Sequence, residues 1–434
     1  MHGYIKIKNL SMLEINYIQE NKTSVIAKLH KRHLYNAADL IENILTINQQ
    51  RKETQLALDT TSSQVNQLTK QIEQLLQEGK KQEIESIKSQ SKVLKASVKE
   101  LELQLNTYKE TLQQKLDELP NLPHDNVPIG KDSTSNEIVY QVESIPEHTA
   151  QLIPHWELIT TYNIIDFELG NKLTGAGFPV YKGKGARLQR ALINFFLDEA
   201  RKAGYEEIQP PILVNKASAY GTGQLPDKEG QMYELANEPL YLIPTAEVPV
   251  TNLYRDQILS KDVLPIRHVA YTPCFRREAG SWGSHVRGLN RLHQFDKVEI
   301  VEISLPELSY QALETMRRYV ESLVQKLELP YRVLKLCSGD LGFASAFTYD
   351  IEVFSVGQNR WLEVSSISNY DTYQANRMQL RYKDNGHNRL LHTLNGSAIA
   401  LPRIMAALLE LNFTEGKIKI PHALTKYTDF EYIS

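Results

Sequence analysis

Residues 275–299 read FRREAGSWGSHVRGLNRLHQFDKVE, setting Arg276, Arg277, Arg287 and Arg291 beside Glu278, Asp296, Lys297 and Glu299. The flanks, HVAYTPCF before and FDKVEIVEI after, have the length and β-branched content of strands, so the stretch reads as two strands joined by a glycine-spaced loop. Alternation predicts Arg276 and Glu278 on one strand face. Arginines aimed from a strand into a concave surface suit a polyphosphate, because guanidinium forks bind phosphate oxygens at two points. A solvated hairpin laced with surface salt bridges is the bland alternative. It leaves unexplained why the charges adjoin Phe275 and Phe295, which should be buried.

Outward from this stretch, a chain of 434 residues has room for two or three domains, and 41% apolar with 23% charged residues is ordinary globular composition. The two cysteines, Cys274 and Cys337, have no metal-ligand spacing, which suits a reducing cytoplasm. No run approaches the roughly 18 apolar residues of a membrane span. MHGYIKIKNLSML lacks the apolar centre of a signal peptide, and its first eleven residues read as an extension before a start at Met12. A net charge of −3 does not announce a nucleic-acid binder, so such a partner must be read from local charge.

Between Leu40 and Leu119 there is no proline and one glycine, amid many Gln, Glu, Lys and Leu. Ile44, Leu58, Val65 and Ile72 recur at one heptad position and Ile47, Leu68 and Leu75 at another, interrupted by Arg51, Thr54 and Thr61. A second half repeats the pattern with Ile84, Val98, Leu105, Leu112 and Leu119 against Ile87, Leu94, Leu101 and Tyr108. Two such stripes predict an antiparallel helical hairpin turning at Gly79, each arm on the order of 55 Å long at about 1.5 Å per residue. Lys81, Lys88, Lys92, Lys95 and Lys99 share one face of the second helix, a track for a nucleic-acid backbone if it is more than a solvated face.

After Pro120 comes a Pro-, Asp- and Asn-rich connector, 121–155, and from Trp156 helical and strand-like segments alternate. The predicted fold is α+β: a mostly antiparallel sheet domain over 156–434, preceded by an N-terminal domain, 1–120, that carries the hairpin. The segment 185–214, GARLQRALINFFLDEARKAGYEEIQPPILV, predicts a helix stopping at Gly204 and a short strand ended by Pro210 and Pro211. Neither GxxxxGK[ST] nor GxGxxG occurs, and HExxH and GxSxG are also missing. Three clusters carry further chemistry. Thr245 and Glu247 follow an apolar strand, where a hydroxyl and a carboxylate suit an ammonium or a hydroxyl. Glu363 and Ser366 make a hard-oxygen pair fit for Mg²⁺ bridging phosphates. Asn395, Gly396 and Ser397 lead into a helix bearing Arg403, whose amides and guanidinium favour an anion.

These segments resemble a known family. From Met12 to near the C-terminus the chain is similar to bacterial-type seryl-tRNA synthetases, which are class II aminoacyl-tRNA synthetases. GARLQRALINFFLDEA with the proline pair resembles motif 1 of that class, CFRREAG with RGLNRLHQFDKVE motif 2, and NGSAIALPR motif 3. TAEVP and LEVSSISN are similar to the serine-specific and metal-proximal signatures. The resemblance implies an antiparallel catalytic sheet, a homodimer assembled through motif 1, a tRNA-binding arm in the helical hairpin, and L-serine, ATP, Mg²⁺ and tRNA(Ser) as partners. It adds tRNA(Sec) as a second substrate where the host makes one.

Carried over residue by residue, the resemblance gives Arg276 and Arg403 catalytic roles at the ATP phosphates and places Arg277, Glu278, Arg291, Phe295, Glu363, Val364, Ser365 and Ser366 in the ATP site. Glu363 and Ser366 would hold the metal. Thr245, Ala246, Glu247, Glu299, Asn395 and Ser397 would line the serine pocket, with Glu299 receiving the substrate hydroxyl, and Trp282, His285 and Arg287 would meet the tRNA acceptor end. Departures from the family pattern are Ile367 at a common cysteine position and Ala398 and Pro402 at common glycine positions. Two other readings compete: a ligase that loads an amino acid onto a carrier protein, and a non-catalytic adaptor with a decayed synthetase domain.

Overall fold

The structure, a computed structural model, describes residues 14–143, 145, 152–278 and 287–434. The chain divides into two compact units, Met1–His30 with Leu34–Pro120, and Lys31–His33 with Asn121–Ser434.

In the first unit two long helices, α1 (Ala37–Gln77) and α2 (Lys81–Asp117), pack along each other. The reversal lies at Gly79, whose φ of +75° favours a residue without Cβ. Burial follows the heptad stripe. Ile44, Ile47, Ile84, Leu105 and Leu112 are buried, and Leu58, Val65, Leu68, Ile72, Leu75, Ile87, Leu94, Val98, Leu101 and Tyr108 are half-buried between exposed neighbours. Thr61, one of the interruptions, returns its hydroxyl to the Ala57 carbonyl at 2.8 Å, so the seam gives up apolar area there without orphaning a polar atom.

The second unit is built on eight strands: β1 (Glu137–Gln141), β2 (Glu206–Glu207), β3 (Ile266–Phe275), β4 (Gln294–Ser304), β5 (Tyr331–Lys335), β6 (Phe347–Ser355), β7 (Arg360–Asn369) and β8 (His392–Ala400). Their order is β1-β5-β6-β7-β8-β4-β3-β2, antiparallel throughout except for the parallel pair β2–β3. Helices α3 (Gly183–Lys202), α4 (Ser309–Lys326) and α5 (Leu401–Leu411) pack on this sheet. Val298 and Ile300 of β4, Val364 and Ile367 of β7, and Leu394 and Ala398 of β8 join the core with helix residues such as Leu192, Met316 and Leu408. The interleaved residues Lys297, Glu299, Asn395 and Ser397 therefore point to the opposite face, as the two-residue strand period requires.

Two expectations need correction. The segment read as a connector, 121–155, contributes β1, which pairs with β5 at the sheet edge. Every residue of this short strand is exposed, so it carries no alternation that would betray it. Strand β3 also ends at Phe275, so Arg276 and Glu278 are not on one strand face; Glu278 has a left-handed φ of +48°. Phe275 and Phe295 are half-buried.

Candidate active site

A cavity of about 490 Å³ opens on the face of the sheet opposite α3, α4 and α5. It gathers Arg276, Glu278, Arg291, Phe295, Glu363, Val364, Ser365, Ser366 and Arg403, together with Thr245, Glu247, Glu299, Asn395 and Ser397. At one end the Arg276 guanidinium lies 5.2 Å from the centre of the Phe295 ring. Glu278 receives Arg291 Nη1 at 2.6 Å, and its own amide donates to Gln231 Oε1 at 3.1 Å. Arg403, in the first turn of α5, donates Nε to the Asn290 carbonyl at 3.1 Å and Nη1 to the Glu363 carbonyl at 2.7 Å. Its guanidinium thus ties β7 to the limb that enters β4.

At the other end Glu299 is almost wholly buried. Its Oε1 accepts from Asn395 Nδ2 at 3.1 Å, while Oε2 accepts from Lys297 Nζ at 2.5 Å and Ser397 Oγ at 3.4 Å. Lys297 also donates to Thr245 Oγ1 at 2.8 Å. Glu247, buried beside this group, receives Gln374 Nε2 at 2.6 Å. Burial first, and the Glu299 charge second, push the Glu247 carboxyl up to about 7. The Tyr370 hydroxyl donates to Asn395 Oδ1 at 3.0 Å, and burial raises that phenol as well.

Glu363 and Ser366 meet through an irregularity. On regular β7 two residues three apart would face opposite sides. Here Glu363 pairs with Glu352 and Ser365 with Ile351, so Val364 is an extra, bulged residue and Ser366 falls opposite Asp350 on the Glu363 face. Asp350 Oδ1 is buried without a hydrogen-bond partner. Burial and the neighbouring Glu363 raise this carboxyl.

Some expected residues stay outside. Arg277 is exposed and does not line the cavity; its amide donates to the Gln231 carbonyl at 3.0 Å. Ala246 is buried behind the wall with Val250, Ala270 and Val301. Trp282 and His285 lie outside the described residues, as do Met1 and Met12, while Arg287 packs 4.9 Å from the Trp156 ring. The five arm lysines belong to the other unit, where all are exposed and Lys88, Lys92, Lys95 and Lys99 border a groove between α1 and α2. Lys297, Gln374, Tyr370 and Asp350 are additions to the site. Lys297 was readable, since it alternates with Phe295 and Glu299 along β4; the other three are brought in by tertiary folding.

A seven-strand antiparallel run whose flanking segments bring Arg276 and Arg291 into one cavity, with Arg403 supplied by the following helix, is the core of a class II aminoacyl-tRNA synthetase. Residues 232–412 match the tRNA synthetase class II core domain (G, H, P, S and T), and residues 12–123 match the seryl-tRNA synthetase N-terminal domain. The serine–tRNA ligase of Salinibacter ruber is 47% identical over 97% of this chain and 99% of its own length, and that of Akkermansia muciniphila 46% over 96% and 97%. The crystal structure of the seryl-tRNA synthetase from Pyrococcus horikoshii complexed with ATP superposes with a TM-score of 0.87 at 32% identity, covering 97% of this chain and 99% of that one. The chain belongs to the seryl-tRNA synthetase family.

Proposed function

We propose that the protein activates L-serine with ATP and transfers the seryl group to the 3′-terminal adenosine of tRNA(Ser), with tRNA(Sec) as a second acceptor in hosts that make it. The serine carboxylate attacks the α-phosphorus and pyrophosphate leaves; the tRNA 3′-hydroxyl then attacks the seryl carbonyl and AMP leaves. Neither step needs a protein nucleophile, so the chain's task is positioning and charge neutralisation. Arg276 and Arg403 hold phosphate oxygens, and Phe295 with Arg403 brackets the adenine. Glu278 and Arg291 sit at its edge. A homodimer formed through α3, in the cytoplasm, completes the proposal, and the two free, buried cysteines suit that compartment.

The observation that carries serine as substrate is the state of Glu299. A carboxylate offers about four lone-pair positions. Lys297, Asn395 and Ser397 fill three, two of them on Oε2, which leaves one on Oε1 for a small hydroxyl. Alanine would leave it unmet, at a cost of about 1–3 kcal/mol. Threonine must be excluded by pocket size, the weaker discriminator for one methyl group.

Mg²⁺ fits the Glu363 and Ser366 pair. The bulge at Val364 sets carboxylate and hydroxyl on one face, and no group of three or more His, Cys, Asp or Glu among the described residues would hold a metal without help. A sparse oxygen set is what Mg²⁺ uses when substrate phosphates complete its shell. When bound, the ion neutralises phosphate charge.

Serine-dependent exchange of labelled pyrophosphate into ATP tests the activation step, and charging of serine tRNA tests the transfer. No exchange overturns the proposal. Exchange without charging of any tRNA favours the carrier-protein ligase instead. A second outcome follows from Glu247, read as a partner of the serine ammonium. Below about pH 7 its carboxyl is mostly protonated and offers no charge. The KM for serine is therefore expected to rise as pH falls through 7, by about tenfold per unit well below it. Glu247→Gln should flatten this limb, and an unchanged profile in the variant would remove Glu247 from that role.

A further inference from the structure

Behind the ATP side of the cavity lies a polar chain whose members His155, Glu410, Ser355 and Gln358 do not line the cavity. His155 and the side chain of Glu410 are fully buried. Glu410 Oε1 accepts from the His155 backbone amide at 2.9 Å and stands 2.8 Å from Nδ1. Its Oε2 accepts from the Ser355 hydroxyl and from the Gly357 amide at 3.2 Å. On the far side of the ring, the Leu289 amide donates to His155 Nε2 at 2.9 Å. That bond dictates the tautomer. Nε2 must keep its lone pair, so the proton sits on Nδ1 and is donated to Glu410. A branch runs in parallel: Gln358 Nε2 donates to Ser355 Oγ at 2.8 Å and its Oε1 accepts from Asn290 Nδ2 at 2.9 Å.

Both branches end on the limb that returns the charged hairpin to β4. Leu289, Asn290 and Arg291 form a wall of the cavity, and the Asn290 carbonyl is the acceptor for Arg403 Nε. The approach is close: a Cβ on Gly288, whose φ is +65°, would come within 2.3 Å of His155 Nε2. Glycine is required there on both counts.

We infer that His155, braced by Glu410, is a positioning residue for ATP: it sets the depth of the 289–291 wall, and through Asn290 the reach of Arg403, without touching substrate. The inference rests on the synthetase reading above. Serine lies at the opposite end of the cavity, against Glu299 and Glu247, which the chain does not contact. Misplacing a positioned wall by an ångström costs on the order of 10²-fold.

The test is steady-state exchange kinetics on the full chain. His155→Ala is expected to raise the KM for ATP by about ten- to 100-fold while moving the KM for serine less than about twofold. Gly288→Ala pushes on the same contact from the other side and should reproduce the split, and it stands in if His155→Ala fails to fold. A readout independent of activity is the ¹⁵N spectrum of the His155 ring in the wild-type protein, expected to show Nδ1 protonated and Nε2 bare. Equal changes in both KM values, no change in either, or a protonated Nε2 would overturn the inference. Wild-type protein without exchange would instead sink the synthetase reading, leaving the ring spectrum to be judged alone.

Discussion

Arg276→Ala is expected to lower serine-dependent pyrophosphate exchange by about 10²- to 10³-fold, chiefly in kcat, the range found when one preorganised donor to a developing charge is removed. The effect should exceed that of the other arginines because of what surrounds each one. Arg291 is already paired with Glu278, and Arg403 stands 3.6 Å from a Glu363 carboxylate oxygen. Among the described residues no carboxylate forms an ion pair with Arg276; its contacts are the Phe295 ring and a long bond from Nε to the Pro244 carbonyl at 3.4 Å. Its charge is therefore available to the phosphate undergoing attack. Arg276→Lys keeps the charge but loses the two-point fork, and should recover only part of the rate. A loss below tenfold for the alanine variant, with ATP still saturating, would place the transition-state charge elsewhere.

How much of this was legible beforehand differs from element to element. The helical hairpin could be read almost residue by residue, because a seven-residue apolar period specifies helices packed along one seam and Gly79 marks the turn between the two. The strand pair β3–β4 was equally plain from its β-branched runs. Alternation then failed where the backbone leaves the pleat. Glu278 enters the cavity from a left-handed turn and not from a strand face. Glu363 and Ser366 share a face only because Val364 bulges, and a bulge has no signature in single residues. Gln374 reaches Glu247 from the short helix Tyr373–Met378, a closure no local pattern announces. His155 was silent for another reason: its partners, Leu289 and Glu410, are 134 and 255 residues away.

The arm carries the other large effect. Substituting Lys81, Lys88, Lys92, Lys95 and Lys99 together by alanine is expected to cut tRNA charging efficiency by at least about 10²-fold and to leave pyrophosphate exchange within about twofold of wild type. The reasoning is electrostatic. All five side chains are exposed on α2, and four border one groove, so an RNA backbone laid along the helix meets a row of cations spaced by three, four or seven residues. Each phosphate contact releases condensed counterions, so the logarithm of tRNA affinity should fall with the logarithm of salt, and the slope should lessen by about one unit for each lysine that was in contact. The variant should remain folded, since the seam between α1 and α2 is made by heptad residues such as Ile44, Ile84 and Leu105, while all five lysines are exposed. The salt slope also separates the two readings of the stripe. If the lysines merely solvate the arm, charging and slope stay where they were. If they bear the tRNA backbone, both fall together while activation of serine continues. Equal loss of exchange and charging would mean that the arm is not a separate tRNA-binding element.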